Sequence, residues 1–556
     1  MDDLAFARAA QLRPIEQVAE QVGIPADALE PYGRHIAKVD VAKLTSGRLG
    51  RLVLVSGMSP TPAGEGKTTM SIGLADALTR AGRRTIVALR EPSIGPMLGM
   101  KGTGAGGGRS QVLPMEDVNL HFTGDFHAIT TANNTLVALV DNHLYHGNPL
   151  GIDPRRVTFR RVLDVNDRAL RSIVVGLGGP TEGVPREAGF DITAASEIMA
   201  VLCLATDLAD LKRRLAAITV GFTYDRTPVT AGDLNAEGAL TALLMHAMKP
   251  NLVQTIGGTA AFVHGGPFGN IAHGCSSVIA TSAARSIADV VVTEAGFGTD
   301  LGMEKYLHIT TRVADTVPDA VVVVATLRAL KMHGGVALAD VERPDPDAVE
   351  AGLPNLERHV ENVRAFGLEP VVAINTFPTD TDEERERVLA WARAAGVPAA
   401  VSDVWARGGG EDGADELAAV VLDVIDRSAS STSFVPINDG TETIEQQIRT
   451  IARRVYHAAD VEFTPAAWRR LAEIERNGWS HLPVCMAKTQ YSFSDDASRL
   501  GAPEGFTIRV RDLVPRTGAG FVVALTGTIM TMPGLPKVPA SERFDVDDEG
   551  RIVGLS

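Results

Sequence analysis

Lys67 and Thr68 stand near the end of the segment Pro60-Thr61-Pro62-Ala63-Gly64-Glu65-Gly66-Lys67-Thr68-Thr69, which comes shortly after the apolar run Leu52-Val53-Leu54-Val55. An ammonium, a hydroxyl and two glycines at this spacing suit the binding of phosphate. Gly64 and Gly66 let backbone N–H groups turn inward around an anion, Lys67 brings a point charge to the outer phosphates, and the Thr68 hydroxyl suits a magnesium ion. The strict G-x-x-x-x-G-K-T pattern has a glycine where this chain has Thr61. The competing reading is a plain glycine-rich turn before an ordinary helix. A strand in front and a helix over Met70 to Leu78 behind favour phosphate, because the amino end of that helix would face it.

These residues need a scaffold. Short β-branched runs recur along the chain, at Thr85 to Leu89, Ser172 to Leu177, Asp289 to Val292, Ala320 to Ala325, Pro370 to Ile374 and Phe521 to Leu525. Between them lie amphipathic patterns such as Ile192 to Leu215 and Ala348 to Phe366. The alternation predicts an α/β fold containing a phosphate loop, with a largely parallel sheet flanked by helices and smaller additional α/β domains. Several runs end in polar or glycine-rich turns, namely Arg90-Glu91-Pro92, Thr293-Glu294-Ala295-Gly296 and Asn375-Thr376-Phe377. Open α/β sheets place ligands at such strand ends, so the site is expected along one edge of the sheet. At about 150 residues per domain, 556 residues allow two to four domains. The breaks are placed at Glu342-Arg343-Pro344-Asp345-Pro346 and Ser428 to Ser433, giving a nucleotide and catalytic domain over 1–341, an α/β domain over 342–430 and a C-terminal α/β domain over 431–556. The glycine-rich segment Gly99 to Gly108 reads as a loop whose backbone must approach a ligand or another chain closely, a flexible linker being the alternative.

Composition excludes several function classes. A net charge of -15 opposes a nucleic-acid partner, which requires a basic field. No apolar run nears the roughly 20 residues that cross a bilayer, and the start Met1-Asp2-Asp3-Leu4 is acidic where a secretory signal is basic. A cytoplasmic protein is expected. Cys203, Cys275 and Cys485 are too scattered for a disulfide framework or a zinc site and read as buried small apolar residues.

Longer strings carry a resemblance. Arg90-Glu91-Pro92-Ser93-Ile94-Gly95-Pro96, Lys101 to Gly108, Pro114 to Asp125, Val324 to Lys331, His264 to Cys275, Cys485 to Ser492 and Thr531 to Lys537 run nearly end to end. They resemble the formate–tetrahydrofolate ligases, and the loop beginning at Thr61 has the form typical of that family. The resemblance implies ATP, formate and tetrahydrofolate as substrates, 10-formyltetrahydrofolate, ADP and phosphate as products, a formyl phosphate intermediate and a place in one-carbon metabolism. Formate is an anionic nucleophile attacking an anionic γ-phosphate, so cations must surround the transferring group. Lys67 and a magnesium ion held with Thr68 are expected to serve the phosphates, and the planar fork of Arg90 the formate or formyl phosphate; an ion pair of Arg90 with Glu91 is the structural alternative. The family pattern places Asp125 and His121 by the active site, as candidates to take the proton that the tetrahydrofolate amine loses. Either can instead support the site through hydrogen bonds, and His121, flanked by Leu120 and Phe122, can be a core histidine. By resemblance Phe377 and Trp405 clamp the pterin, and Glu294 reaches the magnesium through water. A homotetramer stimulated by potassium or ammonium is implied on the same ground.

The chain departs from the family pattern at Thr103-Gly104, Arg109, Gly257, Ala260 and Thr376. Lys67, Arg90, Phe377 and Trp405 all remain, so activity is expected. A phosphate-loop ATPase switch and a folate-binding protein without catalysis are the competing readings; a requirement for both formate and tetrahydrofolate in turnover separates them.

Overall fold

Leu52 to Val55 are fully buried, as are Ile86 to Ala88 and Val321 to Val324. A strand can bury every residue only where both faces of its sheet are covered. The structure, a computed structural model, describes residues 2–45, 47, 49–101, 103–410, 413–428, 434–527 and 529–555. Gly102 and residues 429–433 of the expected break after 428 lie outside that set.

Twelve strands form the central sheet: β1 (Leu29–Pro31), β2 (Ala37–Val39), β3 (Arg51–Gly57), β4 (Thr85–Leu89), β5 (Gly106–Gly107), β6 (Ser110–Leu113), β7 (Asn251–Thr255), β8 (Ala260–Val263), β9 (Val290–Gly298), β10 (Ala320–Ala325), β11 (Pro370–Asn375) and β12 (Ala399–Ser402). The order is β1-β2-β7-β8-β4-β9-β3-β10-β11-β12, with β6 paired to β7 and β5 to β6. From β8 to β12 every neighbouring pair is parallel, so their carboxyl ends form one edge. Side chains alternate between faces. Val53, Val55 and Val87 pack with Met70, Ile72 and Leu74 of helix α1 (Lys67–Arg80). Leu52, Leu54 and Ile86 join the opposite core, with Val349, Leu356 and Val360 of helix α2 (Pro346–Ala365). Residues 342–430 thus supply α2, then β11 and β12 to the same sheet.

A second sheet of four strands, β13 (Asp460–Phe463), β14 (Val484–Ala487), β15 (Thr507–Arg516) and β16 (Phe521–Thr526), has the order β13-β15-β16-β14. Ile508, Val522 and Ala524 share the core cluster of Leu52 and Leu54. The chain is therefore α/β, a largely parallel sheet flanked by helices with smaller sheets added.

Three local expectations are corrected. Ser172 to Leu177 is no buried parallel strand: Ile173–Val175 pairs antiparallel with Arg186–Ala188, and Val174 is 54% exposed. A β-branched run suits the arm of an exposed hairpin as well as a buried strand. Phe521 to Leu525 belongs to the second sheet, where β16 is antiparallel to β15 and parallel to β14. Ile192 to Leu215 divides into two helices, Glu197–Leu204 and Leu208–Ala216, because the Asp207 carboxylate accepts from Asp210 N–H and starts a new helix there.

Candidate active site

The loop from β3 to α1 is held from inside by its own glutamate. Glu65 is buried; its Oε1 accepts from the Thr61 backbone N–H at 2.6 Å, and its Oε2 accepts from the Thr326 hydroxyl. Thr61 O in turn accepts from Gly64 N–H at 3.0 Å. This brace explains why the first position tolerates threonine, since Thr61 is absent from the residues of positive φ. Gly64 (φ 84°) and Gly66 (φ 71°) do take the left-handed conformation, and a Cβ on Gly66 would stand 2.7 Å from Asn375 Nδ2. Gly66 is also the residue before the first turn of α1 and has no side chain to cap it. A helix start of this kind suits an anion. Burial pushes the Glu65 carboxyl above its ordinary value.

Glu294 joins the neighbouring strands. It lies midway along β9, where the regular parallel pairing with β4 has ended and that with β3 shifts register, and is 3% exposed. Its Oε2 accepts from Thr68 Oγ1 at 2.7 Å, and its Oε1 accepts from Arg90 Nη2 at 3.2 Å and Nε at 3.3 Å. Arg90 thus pairs with Glu294 rather than with its sequence neighbour Glu91. Arg90 Nη1 reaches Pro267 O at 3.5 Å, so the loop after β8 closes over the same arginine. The segment Arg90 to Pro96 is anchored by Asp164, which accepts from Ser93 Oγ at 2.6 Å and from Ile94 N–H at 2.8 Å. Lys67, Thr68, Arg90 and Glu294 are thereby gathered at one sheet edge, as expected from the strand ends.

Asp125 stands deeper, at the start of the helix Asp125–Tyr145. Its Oδ1 lies 2.8 Å from Lys38 Nζ and its Oδ2 accepts from Asn251 Nδ2 at 2.8 Å, with all three residues buried. Glu91 is beside this group. Burial first, then the charge of Asp125, push its carboxyl well above the ordinary range, and Oε2 has no hydrogen-bond partner among the described residues. His121 is exposed, so the core-histidine alternative fails, and among the described residues its ring makes no hydrogen bond or ion pair.

The two aromatic candidates follow adjacent strands, β11 and β12, but each has its own partner. The Arg328 guanidinium lies 4.1 Å from the centroid of the Phe377 ring, and Phe377 N–H donates to Asp380 Oδ2 at 2.8 Å. Trp405 is 40% exposed, meets Phe6 edge to face at 5.8 Å, and donates from Nε1 to Asp3 Oδ1 at 3.2 Å. The glycine-rich loop serves Trp405: a Cβ on Gly108 would lie 2.0 Å from Trp405 O, and one on Gly107 3.2 Å from its ring. The close approach expected of this loop is therefore made within the chain.

Several neighbours of these residues escape a reading of the sequence. Glu65 sits inside a motif that assigns it no task, and Lys38 and Asn251 are separated from Asp125 by most of a domain. His273 is buried, neither ring nitrogen has a partner among the described residues, and burial followed by the charge of Arg90 brings it down to about 3. The one sequence signal for it was its place in the string His264 to Cys275.

The family model for formate–tetrahydrofolate ligase matches residues 1–556. The chain is 64% identical over 558 residues to the formate–tetrahydrofolate ligase of Paenarthrobacter aurescens (strain TC1), covering 100% of this chain and 99% of that one. It is 62% identical to that of Renibacterium salmoninarum and 57% identical to that of Staphylococcus carnosus (strain TM300), again over 100% of this chain and 99% of each relative. With the phosphate loop, the Arg90–Glu294 pair and the Phe377 and Trp405 positions in place, the match is full-length, and the chain belongs to the formate–tetrahydrofolate ligase family.

Proposed function

We propose that this chain joins formate to tetrahydrofolate in two steps, and that the Glu294 clamp is what couples them. In the first, a formate oxygen attacks the γ-phosphorus of ATP and ADP leaves, giving formyl phosphate. Lys67 and the first-turn N–H groups of α1 meet the phosphates, and Arg90 orients the formate and screens its charge from the phosphoryl oxygens. In the second, the N10 amine attacks the formyl carbon and phosphate leaves. Arg90 stays on the phosphoryl group, and Asp125 or His121 relays the amine proton. Of these two, Asp125 has the geometry of a positioning residue, being tied to Lys38 and Asn251. Phe377 and Trp405 flank the pterin, its flat ring covering the exposed part of Trp405; the 342–430 segment is on this reading the folate domain.

Magnesium fits the donors present. The Thr68 hydroxyl and Glu294 carboxylate are hard oxygens 2.7 Å apart, and no cluster of three or more metal-ligating side chains occurs among the described residues. That suits an ion bound chiefly through ATP phosphates with Thr68 and, through water, Glu294. When bound, it neutralises charge on the phosphoryl oxygens. A potassium or ammonium ion belongs to this reading on the family resemblance alone. A cytoplasmic homotetramer completes the proposal; no helix among the described residues is long and apolar enough to cross a membrane.

The observation that supports this reading best is the single carboxylate, Glu294, bonded to both the phosphate-loop threonine and Arg90. The test is 10-formyltetrahydrofolate formation with each substrate omitted in turn, alongside Arg90→Ala. The substitution is expected to cut turnover greatly with ATP affinity retained; loss of ATP binding alone, or ADP release that ignores formate and tetrahydrofolate, would overturn the assignment.

A further inference from the structure

Away from this edge a groove of about 460 Å³ opens between two parts of the chain. One wall is helix α3 (Pro465–Arg476) of the C-terminal unit, which presents Arg469, Glu473 and Arg476 at successive turns of one face. The other wall carries Arg156, from the strand Ile152–Val157, and Arg226, from the turn joining Thr219–Thr223 to Pro228–Thr230. Ala466 and Ala472 leave the floor open.

Five arginines therefore face two acids in a chain whose net charge is -15. Both acids are already engaged by one arginine: Arg470 Nη1 lies 2.9 Å from Glu473 Oε1, and its Nε 3.8 Å from Asp512 Oδ1. Arg156 has Asp153, at 3.5 Å. Among the described residues no carboxylate or carbonyl pairs with the guanidinium groups of Arg226, Arg469 or Arg476. Arg226 also holds φ at 67°, a left-handed conformation unfavourable for a residue other than glycine, asparagine or aspartate. Three unpaired forks lining one groove, two from α3 and one from the facing turn, are a recognition geometry for phosphate or carboxylate oxygens.

We propose that this groove binds a small multivalent anion, a molecule bearing several phosphate or carboxylate groups, held by Arg226, Arg469 and Arg476 and bridging the two walls. Monovalent anions would engage one fork and bind weakly; a ligand with three anionic groups engages all three. Because the walls come from different units, occupancy stabilises their packing and raises the melting temperature.

The experiment is calorimetric titration of the full-length protein with ADP saturating the nucleotide site, using inorganic tripolyphosphate in one arm and citrate in the other. At least one probe is expected to bind once per chain, more weakly as salt rises, and to raise Tm. The triple substitution Arg226→Gln, Arg469→Gln, Arg476→Gln is expected to weaken that binding on the order of 100-fold while leaving ligase turnover unchanged, which shows that the variant is folded. A preference for tripolyphosphate assigns a phosphate ligand, one for citrate a polycarboxylate. Absence of a binding event from both arms, or binding that survives the triple substitution, overturns the proposal.

Discussion

Glu294→Gln tests the clamp with minimal change of shape. The amide keeps one oxygen and the side-chain volume but loses the charge that offsets Arg90, leaving that guanidinium with Pro267 O at 3.5 Å. The two N–H···O contacts, at 3.2 and 3.3 Å, are longer than the 2.7–2.9 Å of the strongest charge-assisted bonds. The pair is therefore assigned about 2 kcal/mol, the lower part of the range for hydrogen bonds to charged groups, and the Thr68 bond about 1 kcal/mol. If that stabilisation is used to hold Arg90 on the reacting group, its loss of about 3 kcal/mol lowers kcat/KM for formate on the order of 100-fold. Coupled measurement of ADP release at varied formate and magnesium gives both constants, and calorimetry gives the affinity for ADP. The magnesium dependence should move to higher concentration while ADP bound without metal is held as before. Wild-type kcat/KM for formate in a folded Glu294→Gln protein would show that Arg90 needs no anchor, and the argument for the clamp would fall.

Gly66→Ala forces a side chain onto a left-handed backbone at 71° and to 2.7 Å from Asn375 Nδ2, so it should weaken ATP binding at least tenfold, as read by calorimetry. Gly257→Glu sets a Cβ 2.5 Å from Asp76 Cγ and a second carboxylate beside the first; it is expected to cost about 3 kcal/mol in urea unfolding, and less in the Asp76→Asn background. Asp76 is raised by burial from 3.8 to about 6, a difference worth about 3 kcal/mol. The folded state binds the extra proton, so that stability is present below pH 4 and lost as pH rises through 6; Asp76→Asn should be more stable than wild type at pH 8 and equal to it near pH 4. His264, lowered by burial from 6.5 to about 4, has the opposite sign: its contribution is complete above pH 6.5 and lost as pH falls through 4. The Asp76→Asn protein should therefore lose stability on acidification more steeply than wild type across pH 4–6, as followed by chemical denaturation.

The parts of the site legible in the sequence are those made by contiguous residues. Strand, loop and helix follow one another from Leu52 to Leu78, so Gly64, Gly66, Lys67 and Thr68 declare themselves through backbone needs and spacing. Arg90 was legible as a strand-end residue and Glu294 as one just past an apolar run, although β9 continues to Gly298; their pairing was not legible. It depends on β9 lying between β3 and β4, and strand order is set by packing across the whole sheet. The same distance hides Glu65 and Thr326, 261 residues apart, and Trp405 and Asp3, 402 apart. The hairpin at Ile173 misled because β-branched composition reports extended backbone and is silent about which neighbour a strand finds.

The non-glycine start of the phosphate loop follows from this geometry. A first glycine serves when the loop must turn without help from a side chain. Here Glu65 caps the Thr61 N–H and is itself fixed by Thr326, at the end of β10, while Asn375 at the end of β11 donates to Glu65 O at 3.1 Å. Two neighbouring strands thus set the shape that glycine would otherwise permit. Bonds within the chain hold the loop in shape, so less of the binding energy of ATP goes to arranging donors and more remains for the transition state. On this account Glu65→Gln, which keeps one acceptor but disturbs the exchange with Thr61 and Thr326, should raise KM for ATP with a smaller effect on kcat. An unchanged KM would mean that the loop holds its form through Gly64 and Gly66 alone.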